Sequence, residues 1–115
     1  MNEIKSLRNQ LRTFAVDRDW DQFHSPKNLA SALAVEAAEL LEHFQWLTEA
    51  ESQQLPPEAL NEVGNEVADV LLYLIRISDK LGIDLIAAAN AKIVLNAAKY
   101  PVDKARGSSK KYTEL

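Results

Sequence analysis

Glu36-Ala-Ala-Glu39-Leu-Leu-Glu42-His43-Phe44 and, thirty positions on, Glu66-Val-Ala-Asp69-Val-Leu-Leu-Tyr73-Leu74 carry nearly the same pattern. Each sets an acid, two small or apolar residues and a second acid into an otherwise apolar run. At about 100° per residue, Glu36 and Glu39 lie on one flank of a helix whose apolar face is Leu29, Leu33, Ala37, Leu40, Phe44 and Leu47. Glu66 and Asp69 flank a second such face, made by Val63, Val67, Val70, Leu74 and Ile77. If these faces pack together, four carboxylates converge at the seam. Four anions cannot share a partly buried place without a strong counter-charge. An all-oxygen donor set favours a hard divalent cation, most simply Mg²⁺, with Mn²⁺ as a substitute. The plainer alternative is that each pair is the solvated edge of an amphipathic helix.

Working outward, residues 2 to 17 have Ile4, Leu7, Leu11, Phe14 and Ala15 at helical spacing and predict an amphipathic helix. Asp17 to His24 has no clear period. Its aromatics Trp20 and Phe23 suit either a lid on the core or stacking on a planar ring. Ser25-Pro26 is a helix start, and the second helix is expected to run to Trp46 or Leu47. His43 falls on the flank of Glu36 and Glu39, suited to a structural or interface role or to supporting a ligand. Thr48-Glu-Ala-Glu51 reads as a capping box, and Gln53 to Pro57 as the main connection. A third helix is expected from Glu58 to Lys80, with Gly64 allowing close helix approach, and Gly82 ends it. Asp84 caps an alanine-rich helix over 85 to 99, which Pro101 stops. Residues 102 to 115 carry Lys104, Arg106, Lys110 and Lys111 among Gly107, Ser108 and Ser109. This segment reads either as a disordered basic tail or as a strap over an anionic ligand. With no convincing strand, the expected fold is all-α, an antiparallel four-helix bundle of residues 1–101 followed by a basic tail, 102–115.

Composition limits the function. The 115 residues suit one domain, and 47% hydrophobic with 26% charged residues is a globular composition. An active site on so short a chain calls for help from a second copy. Seventeen acids against 13 bases give a net charge of −4, an excess equal in size to the four proposed ligands, and no broad basic surface suits a nucleic acid polymer. No apolar run of about 18 residues or leader-like segment is visible, so no membrane partner is expected and the expected location is cytoplasmic. The absence of cysteine excludes disulfides, thiolate ligands and a cysteine nucleophile. No P-loop, dinucleotide loop or serine-nucleophile motif is present. Carboxylates holding Mg²⁺ suit phosphoryl chemistry, since the ion takes phosphate oxygens readily.

The two acid runs with Trp46 and Tyr73, together with Arg18-Asp19-Trp20-x-x-Phe23-His24-x-Pro26-x-Asn28-Leu29, Asn96 to Pro101, and Ser108 to Leu115, resemble the MazG-like all-α nucleoside triphosphate pyrophosphohydrolases. The likeness is to their small dCTP-pyrophosphatase branch. It implies Mg²⁺-dependent hydrolysis of a nucleoside triphosphate to the monophosphate and pyrophosphate, in a house-cleaning role. It further implies metal ligands Glu36, Glu39, Glu66 and Asp69; one of these four carboxylates is expected to serve as the catalytic base, with Glu39 the candidate. Trp20 and Trp46 would line a base and sugar pocket, His24, Tyr73 and Asn96 would make polar contacts, and Lys92, Lys99 and the tail cations would meet phosphates. Members are homo-oligomers, dimers or tetramers. Two positions depart from the pattern: Ala97-Ala98 stands where a basic pair is expected, and Leu11 where vertebrate-like members carry histidine. The competing readings are a related hydrolase of dUTP or phosphoribosyl-ATP, a helical protein whose acids bind a structural cation or partner, and a helical oligomerisation module.

Overall fold

The structure, a computed structural model, describes residues 2–115 and is helical throughout, with no strand among the described residues. α1 spans Glu3–Asp17, α2 Pro26–Glu42, α3 Glu49–Ser52, α4 Pro57–Leu81, α5 Leu85–Lys99 and α6 Val102–Ala105, with single 3₁₀ turns at Asp21–Phe23 and Tyr112–Glu114. The chain divides into two compact units, one ending at Gly82 and the other running Ile83–Leu115.

In the first unit, α4 packs against both α1 and α2. Ala15, Leu29 and Ile75, one from each helix, are its most deeply buried apolar side chains. The helix starts follow from capping chemistry. Asn2 accepts from the Lys5 amide at 2.8 Å and Ser25 from the Asn28 amide at 3.1 Å, while Pro26 and Pro57 open their helices where no amide proton is needed. Thr48 and Glu51 form the reciprocal capping box, with bonds of 3.1 and 2.9 Å. Gly82 ends α4 in the left-handed region at φ 68°, where a side chain is strained.

Two local expectations are corrected. α2 stops at Glu42, not at Trp46 or Leu47. Beyond it the chain tightens into i to i+3 bonds, Phe44 N–H to the Leu41 carbonyl and Leu47 N–H to that of Phe44, each 2.9 Å, before Thr48 adopts the extended backbone its cap requires. Gly64 does not serve a close approach, since a Cβ there would meet no atom within 4 Å.

The second unit is built on α5, capped by Asp84, which accepts from the Ala87 amide at 3.0 Å. Segment 102–115 is partly helical. Tyr112 packs edge-on against Tyr100, with ring centroids 6.0 Å apart, and lies under the Lys99 ammonium at 4.8 Å. Among the described residues no single helix is long and apolar enough to cross a membrane.

Candidate active site

One stripe of half-buried positions on α4 runs Ala59, Val63, Glu66, Val70, Tyr73, Ile77 and Lys80, alternating steps of four and three. On α2 a matching series is Leu29, Leu33, Glu36 and Leu40, and His43 continues it at the C-cap. Glu36 and Glu66 therefore stand inside the packed stripes, not on their flanks, and Val67, Leu74 and Ala37, expected in those stripes, are exposed. Placement in the stripe determines the electrostatics. Glu36, Glu39 and Glu66 each bring a carboxylate oxygen to within 4.8 Å of the others. One oxygen of Glu36 and one of Glu66, their Oε2 atoms, are buried without a hydrogen-bond partner. Burial first, then the neighbouring carboxyls of Glu66 and Glu39, push the Glu36 carboxyl up from its ordinary 4.5 to about 7, and the Asp69 charge adds to the push. Among the described residues no cation pairs with these acids. Orphaned, buried, all-oxygen donors at this spacing fit a hard divalent cation, which would satisfy the free lone pairs and return Glu36 to its ionised form.

Asp69, one turn beyond Glu66, lies outside the 4.8 Å group and instead lines a cavity of about 270 Å³ with Trp20, His24, Tyr73 and Arg76. Leu11, Phe14 and Leu72 supply apolar wall. The segment carrying Trp20 and His24 is held in place at several points. Trp20 N–H donates to the Ala15 carbonyl at 2.9 Å, the Trp20 ring meets Phe14 edge-on at 5.7 Å, and Asn28 Nδ2 donates to the Phe23 carbonyl at 3.0 Å. Asp19 makes the bend at φ 53°, a conformation Asp tolerates better than most residues. Phe23 is exposed and does not line the cavity.

Trp46 is 86% exposed and does not line this cavity. Lys92, Asn96 and Lys99 are exposed on α5 in the second unit. His43 faces Glu62 at 3.9 Å, outside the acid cluster.

A second set of charged residues, Arg12, Asp21, Asp79 and Lys80, gathers about Arg76, the member of the set that lines the cavity, and was not singled out by sequence reasoning. Arg76, 7% exposed at its side chain, donates from Nε to His24 Nδ1 at 3.1 Å and from Nη2 to Asp21 Oδ1 at 2.6 Å. Lys80 also reaches Asp21, at 2.5 Å, and Arg12 grips Asp79 through two bonds of 2.7 and 2.6 Å. The available signal was the spacing Asp69, Tyr73, Arg76 and Lys80, which puts all four on one face of α4, together with Asp21 and His24 one turn apart.

The sequence profile of the MazG-like family matches residues 32–115. The chain belongs to the MazG-like family. It is 41% identical to human dCTP pyrophosphatase 1 over 114 residues, covering 97% of this chain and 67% of the human one. Identity to the bovine protein of the same name is 39%, with 97% and 68% covered. A crystal structure of a pyrophosphatase from Archaeoglobus fulgidus superposes with a TM-score of 0.78 at 39% identity, covering 88% of this chain and 94% of that one. The MazG-like match takes in both acid runs, and the all-helical fold agrees with that of the archaeal enzyme.

Proposed function

We propose that this MazG-like chain hydrolyses deoxynucleoside triphosphates, dCTP foremost, to the monophosphate and pyrophosphate, with Mg²⁺ as cofactor and Mn²⁺ as its substitute. The observation that carries this reading is the convergence of Glu36, Glu39 and Glu66 at one end of a face of α4 whose next turns line an apolar cavity with aromatic walls. The vertebrate relatives named dCTP pyrophosphatase 1 support the substrate.

Glu66 and Arg76 are ten residues apart on one helix, about 15 Å along its axis. That span suits an extended nucleotide with its phosphates at the acid end and its base at the Trp20 and His24 end. Glu36, Glu39, Glu66 and Asp69 would hold the cation, which when bound would neutralise polyphosphate charge and lower the pKa of the attacking water so that it gives up its proton more readily. Glu39 accepts the proton of the attacking water. Trp20 offers a ring edge or face to the base, His24 and Tyr73 polar contacts, and the apolar wall of Leu11, Phe14 and Leu72 excludes water from the glycosidic side. Trp46, Lys92, Asn96 and Lys99 join the substrate in an assembled homo-oligomer, dimer or tetramer, where the exposed apolar residues Val35, Leu41, Ile93, Val94 and Leu95 find cover. The basic segment 102–115 adds cations beside the phosphates. The role is house-cleaning of the nucleotide pool in the cytoplasm.

Pyrophosphate release from dCTP, dATP, dGTP, dTTP, dUTP and CTP, with Mg²⁺ and then EDTA, beside the Glu39→Gln variant, tests this reading. Metal-dependent release, greatest with dCTP and lost in the variant, is expected. Release that survives EDTA or the variant overturns the site, and turnover of dUTP alone, or of phosphoribosyl-ATP added to the same panel, overturns the substrate.

A further inference from the structure

Arg76 is a buried cation on the wall of the cavity, and its three nitrogens are directed to three different partners. Nη2 bonds Asp21 Oδ1 at 2.6 Å, Nη1 lies 3.7 Å from Asp79 Oδ2, and Nε donates to His24 Nδ1 at 3.1 Å. A guanidinium has donors and no acceptor. His24 Nδ1 must therefore present its lone pair, and a neutral imidazole in that state carries its proton on Nε2. Nε2 has no hydrogen-bond partner among the described residues, while the His24 side chain lines the cavity.

We infer that Arg76 is a positioning residue, which fixes His24 as the Nε2–H tautomer so that the cavity carries one oriented hydrogen-bond donor for an acceptor atom of the bound nucleotide, a carbonyl oxygen or ring nitrogen of its base. The assignment of that acceptor to a nucleotide rests on the function proposed above; the tautomer itself does not. The neighbouring charges agree with a neutral ring. Burial, then the positive charges of Arg76 and Lys80, hold the imidazole below its ordinary 6.5, against an opposing pull from Asp21. Asp21 has its own part. Clamped by Arg76 and by Lys80 at 2.5 Å, it pins the same 3₁₀ turn from which His24 projects, so ring and backbone are fixed by one guanidinium. A preoriented donor pays less ordering entropy on binding than a free imidazole. It touches no reacting atom, so its effect belongs in KM.

The deciding experiment is a two-bond ¹H–¹⁵N correlation spectrum of the imidazoles in the full chain at pH 7.5. His43→Gln identifies the His24 signals, because the chain has two histidines. The expected pattern is a neutral ring with Nε2 protonated and Nδ1 free. An imidazolium or an Nδ1–H ring overturns the inference, whatever the chain hydrolyses. In Arg76→Lys, the Nε2–H preference should weaken, and KM for dCTP should rise about tenfold with kcat within twofold, the size of one lost hydrogen bond. An unchanged spectrum and KM in that variant overturn the role of Arg76. His24→Leu and His24→Gln read the donor without disturbing the buried guanidinium's charge. Leucine should raise KM and glutamine, which keeps an N–H, should restore part of it; equal KM in both overturns the donor. Inactivity towards every nucleotide, with the expected tautomer present, would count against the proposed function and leave the Arg76 to His24 geometry standing.

Discussion

The two ends of one face of α4 treat charge in opposite ways. At Arg76 and Lys80, each charge has a partner: Arg12 with Asp79, Arg76 and Lys80 with Asp21. At Glu66, three turns earlier, like charges are gathered on purpose, with two carboxylate oxygens buried and unsatisfied. A region whose charges close on themselves holds its own geometry, whereas a region left with unpaid repulsion is complete only with something bound. The contrast separates scaffold from site without reference to any relative. It also explains why both lie on a single helix, since the rigid backbone fixes the distance from the acid cluster to the donor and aromatic end.

The sharpest way to break the comparison is to neutralise the acid end. Glu39→Gln or Asp69→Asn should fold and lose pyrophosphate release by about a hundredfold or more, as when a charge-stabilising group is removed from an active site. Thermal melts without metal should show the same variants no less stable than wild type, because repulsion has been relieved. Wild-type turnover in either would remove the metal assignment. The paired end should respond in the reverse sense. Arg76→Met leaves Asp21 to Lys80 alone and Asp79 to Arg12 alone, removes the donor to His24, and should cost about 1 to 2 kcal/mol in urea unfolding. A cost near zero would mean that its ion pairs are incidental.

Acid titration distinguishes the two ends in one curve. Glu36 has its folded pKa raised from 4.5 to about 7, so in metal-free protein its contribution is most favourable below 4.5 and is lost as pH rises through 7. Added Mg²⁺ should flatten that loss. Asp79 moves the other way. Arg12, first through its hydrogen bonds and then through its charge, holds the carboxyl below its ordinary 3.8, so the stabilisation is present above 3.8 and disappears as pH falls further. From these two groups, the metal-free melting temperature should be greatest near pH 4 to 4.5. A monotonic rise through pH 7 would show that the acid cluster is not strained.

The helices were legible because caps and periods are local. Ser25, Thr48 with Glu51, Gly82 and Asp84 each act on the backbone within four residues, and each does what its type predicts. The end of α2 was not legible, because Phe44 and Leu47 continue the apolar period past the point where the backbone tightens. The paired acids were visible as a pattern and their meeting at the seam was expected, but the flank reading missed that Glu36 and Glu66 stand in line with the apolar stripes, since a helical wheel cannot say how far a stripe extends. Arg76 was missed for a different reason, although the face it shares with Asp69, Tyr73 and Lys80 could be read. Its partners Asp21 and His24 lie 55 and 52 residues away, and nothing local distinguishes a buried arginine from an exposed one before the chain has folded.

Trp46 is the smallest expected effect and the one that tests whether a single chain holds the whole site. Its side chain is 86% exposed, which for a tryptophan is a large apolar area left in water, and it takes no part in the cavity of its own unit. Stacking of a base on an aromatic ring is worth about 1 to 3 kcal/mol, so if Trp46 meets the base, Trp46→Ala should raise KM at least about fivefold with kcat nearly unchanged. If a neighbouring copy brings Trp46 to the base, as proposed, the wild-type KM should rise towards the variant's value as enzyme is diluted below its assembly concentration, while Glu39→Gln stays inactive at every concentration. An unaltered KM and base profile in Trp46→Ala would confine recognition to Trp20, His24 and Tyr73, and the donor end of α4 would then hold all of the base-reading apparatus within one chain.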